Sequence, residues 1–167
     1  KAGIEEITIV PIDNPLANPV DPVLIGYHAA HLADATVKVI TRQSEEEKVG
    51  IMVRKNDRIE VREYSELPAN MPKKTCLAHI GLFALNLSFA ERVSKEEFPW
   101  HLARKLDPVS QKWIWKFERF IFDMLVYSHK TNLLLYPRED VYAPLKNATG
   151  DKSLATVQAA LQRILGL

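Results

Sequence analysis

Segments with strand character alternate with segments of helical period along almost the whole chain, and this alternation limits the fold more than any other feature. "IEEITIVPI" (4–12) is rich in β-branched residues and stops at the turn signal Asp13-Asn14-Pro15, so it reads as a buried strand. "VLIGYHAAHLADA" (23–35) then places apolar residues at helical spacing, and "VKVITR" (37–42) reads as a second strand. "KVGIMVRKNDRIEVREYSE" (48–66) reads as two strands around Asn56-Asp57, residue types that tolerate the positive φ of a tight hairpin. "CLAHIGLFALNL" (76–87) is too long and leucine-rich to assign as strand or helix by period alone. Ser88 is a plausible N-cap for a short helix ending near Pro99. Asp107-Pro108 opens "VSQKWIWKFERFIFDMLVYSH" (109–129), the longest stretch predicted as helix, with Trp113, Phe117 and Phe120 on a core-facing stripe. "TNLLLY" (131–136) reads as a strand, and Ser153 caps a last helix, "LATVQAALQRIL" (154–165). Elements in this order predict a mixed α/β layer structure.

At 167 residues the chain fits one domain, residues 1–167, with room for a real core. The net charge of +1 points to neither nucleic acid nor an acidic membrane as a partner. One cysteine, Cys76, excludes an internal disulfide and fits a cytoplasmic setting. No apolar run has the roughly 18 residues of a spanning helix. The chain opens at Lys1 without methionine, as processing or excision from a longer protein would leave it.

Several residue groups have chemistry to offer, and each also has a plainer reading. His28 and His31, with Asp34 three further on, share a helix face that could hold zinc; partly exposed helix histidines are the expectation. Cys76 with His79 has the types of a nucleophile and base, but no orienting third group is evident. Core packing outweighs base stacking for the aromatic run 113–122. Asp13-Asn14 falls at the carboxyl end of a strand, where open α/β sheets place ligand chemistry. Strand alternation would put Glu63 and Ser65 on one face, Tyr64 and Glu66 on the other. Lys146-Asn147 lie in a loop ahead of a helix, where a lysine can meet phosphate as a point charge and an asparagine can hydrogen-bond. The chain has neither G-x-G-x-x-G nor a Walker-type loop.

Taken in order, "PIDN" (11–14), "VGIMVRKNDRIEVREYSE" (49–66), "KFERFIFDML" (116–125) and "REDVYAPLKNA" (138–148) resemble the UTP-dependent sugar-1-phosphate uridylyltransferases. The resemblance implies a Rossmann-like nucleotidyltransferase domain with a mixed sheet, whose members join UTP to a sugar 1-phosphate and release pyrophosphate. It implies that Asp13 holds the divalent metal, Mg²⁺, and that Glu63 contacts sugar hydroxyls. Lys146 would face the phosphates, with Asn147 beside it on the substrate. The family's N-terminal Gly-rich loop is missing, which implies a partial domain, little activity for the chain alone, and a bared sheet edge open to self-association. The glycine-asparagine pair that reads the sugar is also missing: "TCLAHIGLF" has no asparagine before Asn86. The expected substrates are UTP and N-acetylglucosamine 1-phosphate, with glucose 1-phosphate or a non-catalytic binding module as the alternatives.

Overall fold

The computed structural model describes residues 3–67 and 76–167, so Lys1 and Thr75 lie outside the described residues. Its centre is a six-stranded mixed sheet. The strands are β1 (Glu6–Ile9), β2 (Ala35–Thr41), β3 (Ile51–Lys55), β4 (Arg58–Arg62) and β5 (Leu77–Asn86), and the sixth is Thr131–Leu135. Between β5 and that sixth strand stands a separate hairpin of β6 (His101–Leu106) and β7 (Trp113–Glu118), which makes the sixth strand β8. The sheet order is β4-β3-β5-β2-β8, with β1 also paired to β5. Among the described residues only β2 and β8 run parallel; the other pairings in this sheet are antiparallel.

The ambiguous segment 76–87 is a strand, and its length follows from its place in the middle of the sheet, where it pairs with β1, β2 and β3. β2 is buried along six of its seven residues, as a strand covered on both faces must be. Val37 and Val39 join Phe83, Leu85, Phe89 and Phe122 in one core layer, while Ile40, Ala78, Ile80 and Leu82 form the layer behind. Helix α1 (Pro22–His31) packs on the side of β2 that carries Thr36 and Lys38. Asp21 caps it, its Oδ1 accepting from the amides of Val23 (2.9 Å) and Leu24 (3.3 Å), with Pro22 opening the helix. The other Asp21 oxygen pairs with Lys38 and accepts from the Tyr136 hydroxyl at 2.9 Å. Burial alone would raise the Asp21 carboxyl, but those bonds hold it below the usual range.

Two expectations fail along this stretch. Helix α2 (Leu87–Val93) is capped by Asn86, whose Oδ1 accepts from the Ser88 amide at 2.9 Å, so the cap is not Ser88. The larger failure is at 109–129. In place of one long helix there is β7, then a 3-10 helix over Ile121–Tyr127. Trp113, Trp115 and Phe117 alternate at period two as well as fitting a helical stripe, and Asp107 turns the chain by accepting from the Ser110 amide at 2.9 Å. That turn lets β7 pair back on β6 from Leu106↔Trp113 to His101↔Glu118. The aromatic stripe therefore leaves the core: Trp113, Trp115 and Phe117 are 60%, 60% and 64% exposed. Phe120 packs half-buried against the core, and Phe122, Met124 and Leu125 are buried in it.

A short helix and a longer one finish the described chain. α3 (Arg138–Val141) leads into the loop 142–152, and α4 (Leu154–Leu165) starts at Ser153 as expected, with a capping box formed by Thr156.

Candidate active site

Three chain segments meet at one end of the sheet and enclose a cleft of about 600 Å³. The first is the turn after β1. Gly81 of β5 has φ +82°, and a Cβ there would sit 3.4 Å from the Pro11 ring. Ile80 and Gly81 have no partners on β2, because the register steps from Lys38↔Leu82 to Val39↔His79. This bulge makes room for "PIDN" to lie against the strand.

The second segment is the loop 142–152, locked to the first by Asn14. Its amide donates to the Val141 carbonyl at 2.7 Å, its oxygen accepts from the Ala143 amide at 3.0 Å, and the side chain is buried. The Leu145 amide donates to the Asp13 carbonyl at 2.7 Å. These bonds bring Lys146 Nζ to 3.6 Å from Asp13 Oδ2, with both side chains about half exposed. An ion pair so open contributes under about 1 kcal/mol, so an arriving phosphate can take Lys146 from Asp13 at little cost.

The third segment is the end of β4. Glu63 does not continue the strand alternation; it opens a 3-10 turn over Tyr64–Glu66. Its carboxylate lies over Gly50, where a Cβ would come within 3.2 Å of Oε1 and 2.8 Å of the Val61 Cγ1. Burial, then the neighbouring Glu66, pushes the Glu63 carboxyl up, while the His101 and Lys146 charges pull it down; the net shift is upward.

Asp13, Glu63, Lys146 and Asn147 thus all line one cleft. Asn147 turns its amide inward to the Asp151 carbonyl at 2.7 Å, and so also shapes its own loop. Lys48 and Lys152 line the same cleft. Neither stood out in the sequence, because each is one basic residue among many and only the fold aims them. Three lysines facing a cleft suit a polyanionic ligand.

Of the other candidate groups, His79 lines the same cleft and the rest lie elsewhere. His28 is buried and shares a 2.9 Å hydrogen bond with Thr36, whereas His31 stacks on Tyr27, so the expected pair of partly exposed histidines is split. Among the described residues no group of three or more histidine, cysteine or acidic side chains is placed to hold a metal. The His79 ring packs against Phe83 and Phe122, and its Nε2 has no hydrogen-bond partner among the described residues. Burial lowers its pKa to about 4, which leaves it neutral. Asn86 is spent as the α2 cap.

The fold places the chain in a class. It superposes on the uridine diphosphate N-acetylglucosamine pyrophosphorylase of Trypanosoma brucei, solved with an inhibitor, with a TM-score of 0.83 and 28% identity over 96% of this chain and 35% of that one. A UDP-glucose phosphorylase from Trypanosoma brucei shares the fold at a TM-score of 0.73 and 17% identity, over 95% of this chain and 36% of that one. The architecture is the nucleotidyltransferase fold of the UDP-sugar pyrophosphorylases. Residues 1–148 match the UTP–glucose-1-phosphate uridylyltransferase family, and the chain belongs to it. It is 33% identical over 164 residues to UDP-N-acetylglucosamine diphosphorylase 2 of Arabidopsis thaliana, covering 89% of this chain and 33% of that protein. With the UDP-N-acetylglucosamine pyrophosphorylase of Saccharomyces cerevisiae it shares 28% over 177 residues, covering 92% and 37%. The chain spans about a third of the curated relatives it matches.

Proposed function

We propose that the protein carrying this chain transfers a uridylyl group from UTP to a sugar 1-phosphate, N-acetylglucosamine 1-phosphate first among candidates, and that this chain is a partial catalytic domain supplying the sugar-phosphate side of the site. The observation that carries the reading is the convergence of Asp13, Glu63 and Lys146 on one cleft from three distant segments. In the reaction an oxygen of the sugar phosphate attacks the α-phosphorus of UTP, and the bond to the β-phosphate oxygen breaks as pyrophosphate leaves. Both reactants are anions, so placement and charge neutralisation supply most of the catalysis. Lys146 would neutralise phosphoryl oxygens, drawing away from Asp13 as it does so. Glu63, an acceptor when ionised, suits hydroxyl donors on a sugar.

Asp13 fits Mg²⁺. Its carboxylate is 43% exposed, enough for an ion that takes one or two protein oxygens and its other ligands from phosphate and water; when bound, that ion would offset phosphate charge. The glucose reading rests on the family's own description; the N-acetylglucosamine reading rests on the names of the relatives near 30% identity. A cytoplasmic setting goes with this reading, supported by the single cysteine. Self-association also belongs to it, supported by the far edge of β8, which among the described residues pairs only through β2. Among the described residues no helix is long and apolar enough to cross a membrane.

The test is pyrophosphate release by the full-length protein with UTP and each sugar phosphate. Turnover favouring one sugar and lost in Lys146→Ala supports the reading. Binding of UDP-sugar without turnover would instead establish a non-catalytic module.

A further inference from the structure

Beside the cleft, a second group of charged side chains surrounds His101 at the start of β6. Its Nδ1 lies 2.8 Å from Glu66 Oε1 and its Nε2 lies 2.9 Å from Asp123 Oδ2. A neutral imidazole has one N–H and serves one carboxylate; serving both requires the doubly protonated ring. The side chain is 17% exposed, and Asp123 is buried on the 3-10 helix 121–127. The rings of Phe120 and Phe122 pack against the imidazole at 4.8 and 6.3 Å.

Glu66 ends the short turn that Glu63 begins, and its amide donates to the Glu63 carbonyl at 2.9 Å. Whatever fixes Glu66 therefore fixes the backbone from which Glu63 reaches the cleft. A cavity of about 180 Å³ behind the turn is lined by Glu63, Glu66, His101, Lys105 and Glu118.

We propose that His101 is a positioning residue for the sugar: it ties the Glu63–Glu66 turn to Asp123 and so sets the place of the Glu63 carboxylate. The proposal rests on the reading of Glu63 as a sugar contact. Burial lowers the His101 pKa, but the bonds to Glu66 and Asp123 outweigh it and the net shift is upward. The charged groups facing the ring are Glu66 from the turn, Asp123 from the 3-10 helix, Glu63 across the cavity and Glu118 on β7. Glu118 is itself paired with Lys116 and Lys105. The positive ring also helps hold Glu63 ionised, as an acceptor of sugar hydroxyls must be.

The experiment is steady-state kinetics of the full-length protein as wild type, His101→Gln and Glu66→Gln, with KM for UTP and for the sugar phosphate measured separately across pH. Both variants should raise KM for the sugar phosphate roughly ten-fold, the loss of one charge-assisted bond, and leave KM for UTP unchanged. In the wild type that KM should climb as pH rises through the His101 titration, and in His101→Gln the climb should vanish. Unchanged KM in both variants, or equal increases for both substrates, overturns the inference while the uridylyl-transfer reading stands. A wild type that forms no UDP-sugar overturns that reading, and the inference with it.

Discussion

Gly50 shows how closely the site depends on single atoms. A methyl group there would press on the Glu63 carboxylate and on Val61, and Val61 is buried and cannot give way. Gly50→Ala should therefore push Glu63 aside and raise KM for the sugar phosphate several-fold with UTP unaffected, as kinetics of the full-length protein would show. At Lys146 the expectation differs. Its side chain is half exposed and its ion pair with Asp13 is weak, so Lys146→Ala should leave the melting temperature unchanged while lowering kcat by about 10²–10³; a matching loss of stability would count against a phosphate role. Asp13 and Lys146 were marked in the sequence by the family resemblance of the motifs around them, and the fold places both on one cleft. Lys48 and Lys152 were not, since nothing local separates a lysine aimed at a cleft from one aimed at water.

At the level of elements, Asn14 joins two loops that lie far apart in the chain. Replacing it with alanine strands the Val141 carbonyl and the Ala143 amide. The expected cost is about 2–3 kcal/mol, together with loss of the Asp13–Lys146 proximity; chemical denaturation and turnover measured on the same variant would show both. Most strands and both longer helices could be read from period and caps, because their burial patterns are one-sided or continuous. The segment 109–129 could not. Trp113, Phe117 and Phe120 fit a helical stripe, and the alternation of Trp113, Trp115 and Phe117 fits a strand equally well. The Asp107 turn and pairing with β6 decided between them, and pairing is a non-local fact that no window contains. The bulge at Gly81 was hidden for the same reason.

For the molecule as a whole, two histidines give stability opposite dependences on pH. His79 has a folded pKa near 4 against an ordinary value of 6.5. The unfolded chain therefore binds its proton first, and stability falls as pH drops from 6.5 toward 4, by at most roughly 3 kcal/mol. His101, raised in the folded state, contributes fully below about 6.5 and loses its contribution as pH climbs through its folded pKa. Buried His28 is shifted the same way, so denaturation curves at pH 4.5 and 6.5 should differ in the wild type and differ by less in His79→Leu. A wild type equally stable at both would contradict a neutral ring at position 79.

The parallel pairing of β2 with β8 has a consequence in time. Ala35 meets Thr131 only after the chain closes a loop of about 100 residues, whereas β3, β4, β5 and β2 pair with nearer neighbours. Long loop closure is slow relative to hairpin pairing. A refolding chain should thus pair β3 with β4 and β5 with β2 first, and acquire the Asn14 lock, which spans 127 residues, and with it a cleft, last. The cleft should therefore assemble later than the secondary structure, and a newly made chain would hold its strands before it had a site.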